Sequence, residues 1–353
     1  MGRRLTRLAL ALGIVLLLLA PILRLAVTPL LAQAPRVPGA QGFLNSISTG
    51  TVSTLFDLET GTSSDPILVT RSQTTRGDLQ AGLDVVPDGL NVGVYSTLDR
   101  VVTDSGTLVS DISYRLAADR HTQALADCCG ANVAGVSTAM AGAGNPLRLP
   151  WFVPAAPYPY YDVTLMAPVE MEYLGTDRVG DIDAVKLQQA TPPTPVGTIP
   201  VPGRLVGSED ETVGVQRTYA ATRTLWVDPT TGIILRQTER IREALRTAEG
   251  RDIVTLLAMN LTSTQEQVDA QVAAAHREGR PVLWAHAYGP ALCLVLGGLL
   301  VLLGLGRMIS LSRTRRAQED FPDDLTRFED LRSFLDDARE PSPGPGPEPG
   351  TPR

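Results

Sequence analysis

Two long apolar blocks bracket a stretch in which polar and apolar positions alternate. The first covers residues 8–31 and is interrupted by Pro21, Arg24 and Pro29. Some 20 apolar residues rising 1.5 Å each cross about 30 Å of hydrocarbon, so this block predicts a transmembrane helix. The second covers residues 284–309, with no charge between 288 and 306. It predicts a second membrane helix, with Trp284 and Tyr288 at its outer interface, where amphipathic rings settle. Gly297, Gly298, Gly304 and Gly306 lie inside it. They fit close packing against the first helix, or only the general abundance of glycine in membrane helices.

Residues 32–283 read mainly as β. Period-two alternation marks runs such as 90–96, 108–114, 161–165, 169–174 and 184–187, which suits strands with one buried face. The clearest hairpin spans residues 224–235, with Asp228 and Pro229 starting the turn and Gly232 free to take a positive φ. A weaker echo runs from Asp119 to Leu125, again with Thr three residues after Asp. Residues 131–144 fit no element, and the proline-rich 191–202 reads as an extended edge. One segment departs from β. Ser263-Thr264-Gln265-Glu266 forms a capping box that opens a stalk helix over about 264–278, with Val268, Val272 and Ala275 on one stripe. Gly279 and Pro281 are expected to end it.

Beyond the second block, residues 310–353 form an acidic tail. Phe321, Leu325, Phe328, Leu331 and Leu335 are spaced as a short amphipathic helix, either a docking helix for a partner or a solvated one. From about residue 341 the Pro/Gly-rich end is expected to be disordered. The predicted fold class is a mainly β (α+β) extracytoplasmic domain flanked by two transmembrane α-helices.

Charge orients this arrangement. Arg3, Arg4 and Arg7 precede the first span, within the N-terminal segment 1–7, and Arg307, Arg313, Arg315 and Arg316 follow the second. Basic flanks stay inside, so both termini are expected in the cytoplasm, with the main domain outside the inner (plasma) membrane. A cleaved signal peptide competes, because Ala32-Gln33-Ala34 has the small-x-small form. Pro35 after that site disfavours cleavage, and the block is long for a signal core. Residues 33–283 hold 19 basic against 28 acidic side chains. That balance argues against a nucleic-acid partner.

Candidate chemistry is sparse. No nucleophile-elbow, zincin or phosphate-loop motif occurs, and three His and three Cys leave little for metal binding. No enzyme activity, cofactor or metal is expected. The many acidic residues read as a solvated face. The adjacent Cys128 and Cys129 read as a structural vicinal disulfide, with reduced thiols as the alternative. Trp151, Phe152, Tyr158, Tyr160 and Tyr161 crowd one short segment. Apolar faces with polar tips suit a ligand that has both a tail and a head, and packing over the end of the sheet is the other reading.

Several runs together resemble the actinobacterial porin PorA family. They are residues 114–120 leading to Asp127-Cys128-Cys129-Gly130, Leu149-Pro150-Trp151-Phe152, Val201-Pro202-Gly203, and Trp226-Val227-Asp228-Pro229-Thr230-Thr231-Gly232. The likeness extends to about Arg316. It departs at Thr122-Gln123, where that family's first hairpin usually carries Thr-Gly. The resemblance implies a cell-envelope protein, with members linked to mycolate-type glycolipid traffic and cell-wall growth. The expected function is binding or trafficking of a membrane lipid or glycolipid, alongside envelope transport or assembly proteins. The alternative is a non-catalytic scaffold or interaction subunit of an envelope-assembly complex. A transmembrane barrel, as the porin label suggests, would need no long apolar helix.

Overall fold

The computed structural model describes residues 2–38, 43–81, 91–247 and 250–319. The expected tail helix through Phe321 and Leu335 and the Pro/Gly-rich end lie outside the described residues. The chain divides into two compact units, one of residues 1–20 with 291–353 and one of residues 21–290.

The larger unit is mainly β. Its strands are β1 (Phe43–Asp57), β2 (Thr62–Ser63), β3 (Ile67–Gly77), β4 (Val92–Thr103), β5 (Leu108–Asp119), β6 (Asn132–Val133), β7 (Tyr158–Asp162), β8 (Ala167–Val179), β9 (Ile182–Pro202), β10 (Thr212–Val227), β11 (Ile234–Arg246) and β12 (Asp252–Ser263). They form one antiparallel sheet in the order β6-β5-β4-β3-β1-β12-β11-β10-β9-β8-β7, with β2 beside β1. The expected alternating runs at 90–96, 108–114, 169–174 and 184–187 fall on β4, β5, β8 and β9, and these strands are longer than the runs; the run 161–165 instead leaves β7 at Asp162 and turns over 163–166. Residues 191–202 are the far half of β9. They pair with β10, while β8 reaches β9 only as far as Gln188. The prolines therefore occupy a free edge, where a missing donor breaks no ladder.

The sheet curls until its two ends meet. Isolated bridges run Ala118 to Leu125, Ala124 to Gly144, and Gly144 to Tyr160, linking β5 to β7. Gly144 is the seam. Its amide donates to Pro159 O and its carbonyl accepts from Tyr161 N at 3.0 Å. A β-carbon there would lie 2.3 Å from Tyr158 Cζ. Residues 131–144, unassigned from sequence, thus supply the closing stitch.

The inner face holds the core. Tyr114, Leu116, Leu125, Met140 and Tyr161 pack near the seam, and Leu149, Tyr158, Met171, Leu187 and Leu225 pack beside them. Each fully buried leucine contributes about 1.5–3 kcal/mol. The outer face is polar, with Thr49, Thr222, Arg240, Asn260 and Thr262 exposed on neighbouring strands.

The hairpin turn at 228–233 forms as expected. Asp228 Oδ2 accepts from Thr231 N at 2.8 Å and Oγ1 at 2.6 Å, and Gly232 has φ +72°. The echo at Asp119 is the same turn. Asp119 Oδ1 accepts from Thr122 N and Oγ1, and Gln123 takes φ +56° where the other turn has glycine. Its side chain offsets the strain by donating to Asp119 O at 3.2 Å and Arg120 O at 3.1 Å.

The stalk helix differs from the expectation at both ends. After α1 (Gly2–Ile22) and α2 (Thr28–Leu31), helix α3 is Gln265–Leu283, and its cap is Thr264, which accepts from Gln267 N at 3.2 Å. Ser263 instead bonds Gln237 across the sheet. Gly279 does not end the helix. A β-carbon there would sit 3.3 Å from Thr231 Cγ2, so glycine serves close packing on the hairpin turn. Pro281 lies inside the helix, and the chain then makes a π turn at Trp284–Tyr288. Val268 and Ala275 are buried against Trp226 and Leu235.

The first apolar block is α1 (Gly2–Ile22), a π turn at Leu23–Val27, and α2 (Thr28–Leu31). The second is α4 (Gly289–Glu319). The helical stretches Arg4–Leu31 and Gln265–Ser310 are long and apolar enough to cross a membrane. Within the smaller unit α1 and α4 pack through glycine. A methyl on Gly13 would lie 2.8 Å from Val301 Cγ2, and one on Gly297 would lie 2.9 Å from Gly13 O. Gly304 faces Leu10 in the same way, whereas Gly298 and Gly306 have nothing within 4 Å. Two of the four glycines thus make the contact considered from sequence.

Candidate functional site

Alternation along β1, β3 and β11 turns Leu44, Ser46, Gln73, Thr75, Leu235 and Gln237 toward the concave side. There they line a cavity of about 360 Å³. Helix α3 roofs it with Gln267, Gln271, Ala274, Arg277 and Glu278. The segment after the first apolar helix supplies Ala34, Pro35 and Pro38, and residues 145–148 close another side. Amides and apolar side chains thus share the lining, Gln73 and Gln237 with Leu44 and Leu235 on the floor and Gln267 and Gln271 with Ala274 on the roof. The volume lies at the small end of the usual 300–1,000 Å³ for ligand pockets.

Behind the two floor amides sits a buried ionic network. Arg71 grips Asp99 with two nitrogens, at 2.8 and 2.5 Å, and reaches Glu239 with a third at 2.5 Å. Arg223 joins Glu239 at 2.5 Å to Asp162 at 3.1 Å, and its guanidinium lies 4.8 Å from the Tyr160 ring centre. The side chains of Asp99, Glu239, Asp162 and Arg223 are each no more than 5% exposed. Burial alone would raise the Glu239 carboxyl. Arg223 and Arg71, with hydrogen bonds from Arg223 and Gln237, outweigh it and hold the group at about 2. The acidic residues are thus not all a solvated face, as expected from sequence. Three of them are held inside because arginines from distant strands meet them there.

The network touches the cavity through two glutamines. Gln73 Nε2 donates to Asp99 Oδ2 at 2.9 Å, and Gln237 Nε2 donates to Glu239 Oε1 at 2.5 Å. These residues gave no motif in the sequence. The one available signal was polar side chains recurring at inward positions of otherwise alternating strands.

The aromatic segment packs into the fold apart from the cavity lining. Tyr158, Tyr160 and Tyr161 are buried in the core and do not line the cavity. Tyr158 donates to Asn145 O and Tyr161 bonds Thr138 Oγ1 at 2.7 Å. The physical reason is the seam: β7 is the strand on which the sheet closes, so its rings fill the joint. Burial pushes the Tyr158 and Tyr160 hydroxyls well above the ordinary tyrosine range. Trp151 is buried against Ala32 and Val282, with the Arg148 guanidinium 4.9 Å from its ring centre. Phe152 is 37% exposed and stacks on His286 at 4.4 Å. Backbone bonds from Leu149, Phe152 and Val153 tie this segment to the 228–232 turn. Residues 145–148, just before it, reach the cavity, and Arg148 pairs with Glu278 at 2.8 Å.

Cys128 and Cys129 are thiols in contact and not a disulfide, and Cys129 has φ +60°. Burial, together with the Cys129 thiol, pushes the Cys128 thiol up to about 12. Among the described residues no group of three His, Cys, Asp or Glu side chains is arranged to hold a metal.

A family model described as Porin PorA matches residues 5–306. No curated protein matches the chain.

Proposed function

The chain belongs to the Porin PorA family, and from that premise we propose an inner-membrane envelope protein whose outer domain holds a lipid or glycolipid. The observation that carries the reading is the cavity beneath α3, whose lining combines apolar side chains with amides. Such a cavity suits an amphiphile, with the head against the amides. At about 360 Å³ it takes a head group or a short length of chain, so the rest of a long lipid stays outside. The protein acts by binding and handing on, without catalysis.

Two features support retention in the membrane by both helices. Arginines flank the outer limits of the apolar blocks, which orients both ends toward the cytoplasm. Ala32 and Ala34 are buried, and Ala34 N donates to Arg120 O at 2.8 Å, so the small-x-small site is part of the folded domain. A channel through the sheet is disfavoured. Its outer face carries exposed Thr and Arg side chains where a membrane barrel needs an apolar band, and the ionic network occupies its interior.

A scaffold role is the second reading, favoured by the dense filling of the interior around so small a cavity. Purifying the full chain from its own membrane and extracting bound lipid for mass spectrometry separates the two. A stoichiometric lipid supports binding. A protein free of lipid, yet purified with partner proteins, supports the scaffold.

A further inference from the structure

The two floor amides have a fixed hydrogen-bonding sense. A carboxylate only accepts, so the amide facing it must present its NH₂. Gln73 points its NH₂ at Asp99 and Gln237 points its NH₂ at Glu239. Both carbonyl oxygens are thereby turned away from the carboxylates, and both residues line the cavity. Among the described residues neither oxygen has a hydrogen-bond donor. The roof has the opposite sense. Gln267 accepts from Ile47 N at 3.3 Å with its oxygen, leaving its NH₂ for the cavity.

A ligand filling this space must donate to the floor and accept from the roof. A fully ionised phosphate or a carboxylate cannot donate to Gln73 and Gln237. The network behind them adds to this, because two arginines face three carboxyl groups. An ammonium can donate but cannot accept from Gln267. A hydroxyl does both. Resting on the amphiphile reading, we infer that the site selects a neutral, hydroxyl-rich head group, with Gln73 and Gln237 as the selecting acceptors.

The test uses the full chain in phosphatidylcholine nanodiscs, titrated by calorimetry against empty discs. The probes are octyl glucoside, octyl phosphate and octylammonium, which share one tail. Octyl glucoside should bind about tenfold more tightly than either charged probe, one unpaired polar group being enough for that factor. Gln73→Met and Gln237→Met should each reduce octyl glucoside affinity by about tenfold and leave octyl phosphate unchanged. Each buried carboxylate keeps an arginine in these variants, and thermal melting checks that they fold. Should a variant not fold, the comparison of the three probes on the unaltered chain still decides. Equal binding of all three, or preference for octyl phosphate or octylammonium, overturns the inference while leaving amphiphile binding intact. Binding of none overturns the amphiphile reading itself.

Discussion

Arg71 on β3 and Glu239 on β11 bond at 2.5 Å although β1 and β12 lie between their strands. Three strand spacings of about 4.8 Å separate such positions by roughly 14 Å on a flat sheet. The contact exists because the sheet curls. Arg223 on β10 reaches Asp162 on β7 over the same number of strands. These two bonds lie across the concave side like staves, and they give the floor of the cavity its charge.

Breaking this network should be costly. Glu239→Ala leaves Arg71 and Arg223 buried with one partner fewer, and the expected loss is on the order of 3–5 kcal/mol. Chemical denaturation of the full chain in detergent checks it. A loss below about 1 kcal/mol would show that the arginines find water instead.

The same residue sets an acid dependence. The folded Glu239 carboxyl stands at about 2, below the ordinary 4.5. A lowered group stabilises the fold above its unfolded value and loses that contribution as pH falls through the folded one. The expected stability is flat above about pH 5.5 and falls by about 3 kcal/mol toward pH 2. Glu239→Gln should flatten this acid limb. An unaltered limb would assign it to other carboxylates.

Trp151→Ala should act on stability and not on ligand selection. The ring is packed with Ala32 and Val282 under Arg148, outside the cavity lining. Removing it should cost about 3–5 kcal/mol, seen as a lower melting temperature. A variant that melts normally but loses octyl glucoside binding would return this residue to the site.

Gly297→Leu should disrupt the packing of α1 on α4, because a β-carbon there already meets Gly13 O at 2.9 Å. Overpacking of this kind costs about 1–3 kcal/mol. Gly298→Leu, with nothing within 4 Å, is the control. Equal melting temperatures for the two variants would remove glycine packing as the reason these helices associate.

In an oxidising compartment the Cys128–Cys129 pair is expected to close to a vicinal disulfide, since the two thiols already touch and Cys293 is in the other unit. Alkylation of the exported protein under denaturing, non-reducing conditions should modify only Cys293. Two further adducts would establish that the thiols stay reduced.

The elements legible in the sequence were those decided within a few residues of chain. Apolar length marked both long helices, alternation marked the strands, and Asp228 with Gly232 marked the hairpin turn, because each depends on local backbone geometry. The echo at Asp119 was legible for the same reason, although only the structure showed Gln123 bonding its own turn to hold a positive φ. What the tertiary structure alone decided were the choices made by distant partners. Arg71 and Glu239 stand 168 positions apart, and no local pattern tells an inward arginine from an outward one when both strands alternate. The curl of the sheet drew the tyrosines of β7 into its seam and turned Gln73 and Gln237 toward the cavity. It also carried Gly279 against Thr231, where a helix-ending residue had been expected. Side-chain type and spacing set which elements form; the closing of β5 onto β7 set which of their side chains meet.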